Sequence, residues 1–308
     1  MRHALETREV SAWVEPDRLD RAVRVLSDPR LRPTRVGSPD ARTRRTLAER
    51  FDAESFDDMR RLAVATKSVL WIEQAAPLGE FEREALVEEN IAIVASACTL
   101  PLLLALPQVE TAPSFRRMAA GAAVLGIAEA FGRVEVLQST VAVADRGRLS
   151  EGLRVAVAAS LAVLGPIDIV TAVGASAGTL TASLVGARGF GTIAVASGVE
   201  GASFALVGEG GIANVSSCSV AWRRRDGSWV EETRIEADGE EPIVRTILEA
   251  ERPVVRRKPL DESLRRMRLR IAAVADTVRL SVRTGHGESV EAMLRNFDVD
   301  PDDLTSRA

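Results

Sequence analysis

The sequence is poor in the residue types that most often mark a reactive centre. Its 308 residues include no tyrosine, two cysteines and two histidines. Cys98 and Cys218 are too few for a disulfide framework or a cysteine zinc site, and no spacing of carboxylates suggests a metal site. We therefore expect no metal and no disulfide-stapled secreted domain. A reducing cytoplasm fits this cysteine usage best.

The chain also lacks a strong charge of either sign. Its 40 basic and 44 acidic residues leave a net charge of −4, whereas nucleic-acid-binding proteins carry a basic patch or stripe. The start, MRHALETREV, lacks the apolar core of a signal peptide. The apolar stretches 91–107 and 155–173 are interrupted by proline or aspartate, so they fall short of a membrane span. Composition thus predicts neither a nucleic-acid partner nor a membrane span.

The periodicity of apolar residues predicts an α/β architecture. Residues 1–50 are polar, arginine-rich and broken by prolines, which indicates an N-terminal extension or peripheral layer, with 51–308 as a single α/β domain. Helical and strand-like patterns then alternate. Helices are predicted at 56–73, 118–131, 150–164, 240–251, 260–275 and 288–297, strands at 91–97, 134–144 and 277–283, and a hairpin at 213–235 turning at Asp226-Gly227.

The stretch 167–201 carries the candidate site. It reads as an apolar strand, a tight Gly-Ala-Ser-Ala-Gly turn, a small-residue helix and a second strand. Ser176 lies at the turn, where its hydroxyl would sit beside free N–H groups of a helix N-terminus that can stabilise an anion. If the protein has an active site, we therefore expect it in this stretch.

One interpretation of this turn is the nucleophile elbow of a serine esterase with an α/β-hydrolase-like open sheet. Glycines two residues either side of Ser176 would relieve crowding at the strained turn. His286 is the only histidine downstream and would be the base, with the acid drawn from Asp226, Asp238, Asp261 and Asp276. The alternative from the same residues is a tight strand–helix turn with a capping serine and no chemistry.

A second interpretation rests on a family resemblance. The segment LGPIDIVTAVGASAGTLTA is similar to the stretch of beta-ketoacyl synthases, in the thiolase-like superfamily, where a Gly-Pro precedes a strand and the nucleophilic cysteine begins a buried helix. GTIAVASGVEG resembles the next strand of that family with its Gly-Gly-x-Glu ending, and GEGG at 208–211 resembles its Gly-Glu-Gly-Ala segment. The resemblance covers about half of the chain.

The resemblance implies a thiolase-like layered α/β fold with mixed sheets. Ser176 would occupy the nucleophile position in place of cysteine, and His286, in RTGHGESVEAML, would be the base. The implied function is that of a divergent ketosynthase-like component of fatty-acid or polyketide biosynthesis. It would either transfer an acyl group or serve as a non-catalytic, chain-length-factor-like partner of a ketosynthase. A third class, a non-catalytic assembly protein, stays open.

Partners and cofactors follow from the same resemblance. It implies an acyl carrier protein or coenzyme A thioester as substrate, a ketosynthase partner, and a homo- or heterodimer that pairs through 192–197. The basic helix at 264–270 could meet the acidic carrier protein, although a solvated helix face is the more common explanation of such a pattern. The glycines at 186–191 lack the spacing and lysine of a phosphate loop. We therefore expect no cofactor.

Overall fold

The computed structural model describes residues 7–74, 78–89, 91–96, 98–176, 178–216, 218–233, 239–251 and 262–305. The chain divides into two compact units. The first comprises residues 1–113 and 239–265, and the second comprises residues 114–238 and 266–308. The chain therefore leaves the first unit at residue 114, returns to it at 239 and leaves it again at 266.

A six-stranded parallel sheet organises the first unit. Its strand order is β3-β2-β1-β4-β5-β6, and β4 and β5 are buried along their whole length, as expected of central parallel strands. The strands are β1 (Arg8–Trp13), β2 (Leu31–Gly37), β3 (Glu54–Phe56), β4 (Val69–Ile72), β5 (Ala92–Ala95) and β6 (Glu110–Thr111). The helices are α1 (Leu19–Leu26), α2 (Ala41–Phe51), α3 (Met59–Ala65), α4 (Glu80–Glu88), α5 (Leu100–Ala105) and, from the returning chain, α8 (Glu241–Glu249).

This strand order reverses its direction of growth between β1 and β4. Strands β1, β2 and β3 extend the sheet to one side, whereas β4, β5 and β6 extend it to the other. In open parallel sheets, ligands bind outside the carboxyl ends of the strands at such a switch point. The carboxyl ends of β1 and β4 are therefore the place to look for a site.

The returning helix α8 completes the core of the first unit. Ile243, Val244 and Ile247 belong to the same buried cluster as Val10 of β1 and Trp71 of β4. The unit is thus one core assembled from two distant parts of the sequence.

Residues 1–50, interpreted from sequence as a peripheral layer, contribute β1 and β2 to the centre of this sheet. Their polar composition hides the strands, since β2 has only three fully buried residues. The helix predicted at 56–73 is wrong, because that segment ends β3 and then forms α3 and β4. Asp58 caps α3 by accepting from the N–H groups of Arg60 and Arg61.

A nine-stranded mixed sheet organises the second unit, in the order β14-β13-β12-β11-β7-β10-β9-β8-β15. Among the described strands of this sheet, β7 and β10 pair in parallel and the other neighbours pair antiparallel. The strands are β7 (Val134–Val143), β8 (Ile167–Ser176), β9 (Thr179–Gly186), β10 (Gly189–Ser197), β11 (Gly201–Gly208), β12 (Gly211–Ser216), β13 (Ser219–Arg223), β14 (Trp229–Thr233) and β15 (Gly287–Ser289). The helices are α6 (Ala119–Phe131), α7 (Leu149–Leu164), most of α9 (Glu262–Thr284), α10 (Val290–Arg295) and α11 (Pro301–Thr305).

Several predicted elements of this unit are confirmed. They are α6, β7, α7 and the β13–β14 hairpin, which turns at Gly227 with a φ of 85°. Helix α7 packs closely on the sheet at Gly152, where an added Cβ would lie 2.8 Å from a Val195 methyl group. Glycine at this position therefore sets the distance between helix and sheet.

Two predicted elements are wrong. The small-residue helix after Ser176 is strand β9, joined to β8 by a tight hairpin in which Ser176 pairs with Thr179. Its residues alternate between the two faces of the sheet, so the period is that of a strand. The strand predicted at 277–283 is the end of α9, because Val274, Thr277, Val278 and Ser281 are buried at helical spacing.

Candidate functional site

The carboxyl edge of the parallel sheet gathers charged and polar side chains from three strands. Glu15 follows β1, Glu73 and Gln74 follow β4, and Ser96 follows β5. The backbone N–H of Glu73 donates to the carbonyl of Trp13 at 3.0 Å, which places the ends of β1 and β4 side by side. These residues therefore lie at the switch point of the sheet.

The turn between β1 and α1 (residues 14–18, VEPDR) is acidic and contains no glycine. Glu15 is half-buried and accepts a hydrogen bond from the Trp13 indole at 3.3 Å. Burial raises the pKa of Glu15; the Trp13 hydrogen bond opposes that rise, and the charge of Asp17 adds to it. Two carboxylates thus stand at the start of α1, where a helix ordinarily attracts anions.

Buried arginines tie α1 to the end of β4. Arg21 donates to Glu73 at 3.0 Å, and the two side chains are 6% and 1% exposed. Ser96 lies 3.4 Å from the second Glu73 oxygen, and Arg18 donates to Gln74 at 3.2 Å. Glu240, on the returning chain, accepts from Arg21 at 3.1 Å and from Arg24 at 3.0 Å. The protein's own ion pairs therefore span the switch point.

The segment after β2 caps the N-terminus of α2. The Asp40 carboxylate accepts from the N–H of Thr43 at 2.7 Å and from its hydroxyl at 2.8 Å. These hydrogen bonds, the backbone one first, lower the pKa of Asp40. Trp13 covers the end of β2, since an added Cβ at Gly37 would lie 2.5 Å from its indole. Beyond the cap, Arg42 and Arg45 are exposed.

The structure does not bring the sequence-predicted site residues together. Ser176 ends β8 in a hairpin, not at a strand–helix elbow, and its side chain lies outside the described residues. His286 is exposed, next to Gly287, which pairs with Thr171. The register therefore sets His286 beside Ala172, four residues or roughly 13 Å along the strand from Ser176, beyond the reach of a general base.

The two candidate acids that the structure describes are engaged elsewhere. Asp226 caps the β13–β14 turn by accepting from Ser228 at 2.9 and 2.6 Å. Asp276 pairs with Arg279 on α9, whereas Asp238 and Asp261 lie outside the described residues. Within the described ranges, no group of three His, Cys, Asp or Glu side chains could hold a metal ion.

Comparison with known proteins rests on folds alone, because no protein-family model and no curated protein matches the sequence. An oxidoreductase from Thermotoga maritima superposes with a TM-score of 0.70 over 94% of this chain and 100% of its own, at 16% identity. An oxidoreductase from Agrobacterium radiobacter, solved with NAD+, L-tartaric acid and magnesium, gives a TM-score of 0.72 over 93% and 99%, at 11% identity. Levoglucosan dehydrogenase, solved with NADH and levoglucosan, gives 0.69 over 92% and 99%, at 14% identity.

This chain has the fold of the NAD(P)-binding oxidoreductases. The thiolase-like fold, the ketosynthase-like function and the serine-esterase alternative are therefore wrong; only the coarse prediction of an α/β protein is confirmed. The expectation of no cofactor is also overturned, since structures of this fold hold NAD+ or NADH. The carrier-protein and ketosynthase partners stay predictions without a test. Among the described residues, no helix has an apolar stretch long enough to cross a bilayer.

The residues at the switch point do not fit a dinucleotide held by a glycine-rich turn. That mode needs glycines after the first strand, so that the backbone can approach the pyrophosphate, and a helix N-terminus facing it. Here the turn has Glu15, Pro16 and Asp17 in place of glycine, and Pro16 has no N–H to donate. In that mode an acidic residue after the second strand binds the ribose. Asp40 follows β2, but its carboxylate caps α2 instead. We therefore derive no catalytic step through a nicotinamide.

Sequence reasoning missed every residue of this edge. Arg18, Arg21, Glu73 and Ser96 are common residue types with no motif around them. Their position in the sequence is the one feature that could have identified them, because Glu73 and Ser96 directly follow the buried strands VLWI and AIVA. The ends of such buried strands are where parallel sheets place functional side chains.

A second surface feature lies on the open face of the nine-stranded sheet. Six apolar side chains are direct cross-strand neighbours on β8, β9, β10, β7, β11 and β12, and each is between 39% and 49% exposed. We call them the apolar row: Ile169, Val185, Phe190, Val136, Val207 and Ile212. Next to the row, neutral polar residues including Gln138, Thr140, Ser203 and Asn214 line a depression of about 290 Å³. A contiguous exposed apolar row of this kind marks an interaction surface.

Proposed function

We propose that this chain is a divergent oxidoreductase that acts on a small polyhydroxylated compound. The observation that carries the proposal is the two-unit architecture. A parallel sheet of order 3-2-1-4-5-6 and a nine-stranded mixed sheet together match oxidoreductases over more than nine-tenths of the chain. Two of those oxidoreductases were solved with L-tartaric acid or levoglucosan, both rich in hydroxyl groups, which supports the substrate class.

The divergence is located at the β1–α1 turn. Glu15 and Asp17, the second in an ion pair with Arg18 at 3.4 Å, place carboxylates where a dinucleotide would have its pyrophosphate, and the Arg21–Glu73 pair occupies the switch point. We therefore propose that nicotinamide dinucleotides bind more weakly here than in an enzyme with a glycine-rich turn.

A direct assay tests the oxidoreductase proposal. The purified chain is incubated with NAD+ or NADP+ and a panel of levoglucosan, L-tartrate, gluconate and sorbitol, and formation of the reduced nicotinamide is followed by absorbance. We expect turnover of at least one polyhydroxylated compound and none of a simple alcohol such as ethanol. Absence of turnover across the panel, with a protein shown to be folded by circular dichroism, contradicts it.

One observation favours a second candidate, a protein that binds the same class of compound without hydride transfer. Oxidation of an alcohol needs a base to take its proton. The chain has no tyrosine, and the one lysine and one histidine in the described ranges, Lys67 and His286, are both exposed. In this case isothermal titration calorimetry would show binding of a polyhydroxylated compound, and the turnover assay would show no formation of the reduced nicotinamide.

A further inference from the structure

The second unit contains a cavity of about 510 Å³ beside β8 and α9. Its walls come from five elements that lie far apart in the sequence, namely α7, β8, α9, α10 and α11. Six of the apolar side chains that line it are no more than 6% exposed: Leu161, Ile167, Val274, Val290, Leu294 and Leu304. Proteins bind small molecules in cavities of this size, lined mainly by apolar side chains with a few polar groups.

One charge in the lining of this cavity, Arg270, is half-buried. It lies one turn before Val274 on α9, so the two residues share the face of the helix that borders the cavity. Burial lowers the pKa of Arg270, and the like charge of Arg266 lowers it further. Within the described ranges, no carboxylate pairs with the Arg270 guanidinium. Its N–H donors have therefore lost part of their water without gaining a counter-charge, which is costly.

The carboxylates of the lining stand at its solvent-facing rim. All four are exposed: Asp168, Glu291, Asp300 and Asp302. Glu291 pairs with Arg295, the other guanidinium of the lining, within α10. Water and salt screen such exposed charges far more than a half-buried one. The charge that most needs a partner in this cavity is therefore that of Arg270.

We propose that this cavity binds a small amphipathic carboxylate, with its apolar body against the buried side chains and its carboxylate on Arg270. Removing the apolar body from water favours binding. The planar fork of guanidinium donors matches the two oxygens of a carboxylate. A neutral molecule would leave Arg270 without a counter-charge, and an amphipathic cation would have to bind through the screened carboxylates of the rim.

This site goes beyond the proposed oxidoreductase function and does not depend on it. All of its lining residues lie between 161 and 304 in the second unit, and the experiment measures binding in the absence of nicotinamide. A chain that fails to oxidise any compound could still bind the carboxylate, and an active chain could fail to bind it.

The test compares octanoate with octanol and octylamine, which share its chain, and with acetate and phenylacetate, which share its carboxylate. Binding to the full chain is measured by isothermal titration calorimetry. We expect saturable binding of octanoate, phenylacetate or both, about tenfold or more tighter than that of octanol, and no binding of acetate. The tighter of the two apolar carboxylates identifies the preferred body as a linear chain or a ring. Octylamine binding as tightly as octanoate, or no saturable binding of either apolar carboxylate, would overturn the proposal.

Variants locate the bound carboxylate. Arg270→Met should weaken its binding about tenfold or more, since a charge-assisted hydrogen bond is lost, and should leave the affinity for octanol unchanged. Arg270→Lys should keep part of the affinity. The control Arg283→Met removes the same charge from an exposed position on α9 outside the cavity lining and should leave binding unchanged. Undiminished binding by Arg270→Met, or an equal loss in Arg283→Met, would refute the assignment.

Discussion

At the scale of single residues, Asp58 shows how one side chain decides where a helix begins. Its carboxylate accepts from the N–H groups of Arg60 and Arg61, at 2.7 and 3.3 Å, and from the Arg60 guanidinium at 2.8 Å. The Arg60 side-chain hydrogen bond is the main reason that the pKa of Asp58 falls from 3.8 to about 2. The cap therefore stays charged at all but strongly acidic pH.

We predict that Asp58→Ala lowers the free energy of unfolding by about 1 kcal/mol at neutral pH, the usual cost of losing an N-cap. Because the folded pKa is depressed, the carboxylate contributes fully above about pH 4 and loses its contribution as pH falls towards 2. Urea unfolding of both proteins at several pH values measures this. Asp58→Asn is the control, since asparagine caps helices without titrating. A pH-independent difference between wild type and Asp58→Ala would contradict the account.

At the scale of elements, the two glycines of α6 have opposite roles. An added Cβ at Gly121 would lie 1.8 Å from the backbone oxygen of Phe115, whereas nothing lies within 4 Å of a Cβ at Gly126. Gly121 is buried and Gly126 is exposed. The first glycine permits a close contact, and the second only adds conformational freedom to the unfolded chain.

We predict that Gly121→Ala destabilises the protein by about 2 kcal/mol or more, because backbone must move to admit the methyl group. Gly126→Ala should stabilise it by about 1 kcal/mol, the difference in helix propensity. Thermal unfolding of the two single variants provides the measurement, and each serves as the control for the other. If both variants changed the melting temperature by a similar amount in the same direction, the close contact between Gly121 and Phe115 would be contradicted.

The β1–α1 turn makes a second prediction at this scale. Glu15→Gln with Asp17→Asn removes both carboxylates without changing shape, so we expect NADH and NADPH to bind about tenfold more tightly or better, a gain of about 1.4 kcal/mol. Fluorescence titration of the bound nicotinamide measures the affinity. Raising the salt concentration should reduce the difference in affinity between the variant and the wild type, because salt screens the repulsion between exposed charges.

The matched control for the turn is Glu49→Gln with Glu88→Gln, which removes the same charge from exposed positions on α2 and α4. It should leave the affinity unchanged. Since burial raises the pKa of Glu15, wild-type affinity should also improve as pH falls and the carboxyl takes up its proton. Tight binding of NADH by the wild type would refute the role given to the turn.

How far the sequence predicts the fold depends on the element. Helices α6 and α7 and strand β7 are predicted, because glycine, proline or a charged turn bounds each apolar pattern. Strand β9 is missed because Thr179–Gly186 is rich in small residues that suit either period. Strand β2 is missed because most of its residues are partly exposed. The switch point depends on β1 pairing with β2 on one side and with β4 on the other, and no local pattern encodes the long-range pairing of β1 with β4.

At the scale of the whole molecule, the chain order itself explains why the sequence does not reveal the switch point. The first unit needs α8, which lies more than a hundred residues after its last strand. If 51–308 is treated as one continuous domain, the middle of the chain is assigned to a single core. The predicted site at 167–201 is then placed in that core. Ser176 is instead the last residue of β8, paired with Thr179 of β9 in a hairpin of the second sheet.

The open face of the nine-stranded sheet supports a proposal about assembly. We propose that a second copy of this chain covers it. The apolar row crosses six strands, and the residues that face outward beside it on β10, Thr192, Ala194 and Ala196, are small and uncharged. The charged residues Arg223 and Glu231 join this face on β13 and β14, beyond the six strands of the row, so those six strands can meet their own copy across a two-fold axis without like-charge repulsion. This region includes 192–197, the segment for which sequence analysis predicted pairing.

We predict that the chain sediments as a dimer of about 66 kDa, twice its mass of 33.1 kDa, at micromolar concentration in analytical ultracentrifugation. Phe190→Arg should shift it to the monomer, because two guanidinium groups would be buried in an apolar contact where nothing pairs them. Phe81→Arg, at a position 70% exposed on α4, carries the same change outside the face and should leave the dimer intact. A wild-type monomer at these concentrations would reject the proposal. Dissociation by Phe81→Arg but not by Phe190→Arg would instead place the interface on the first unit, because Phe81 lies on α4.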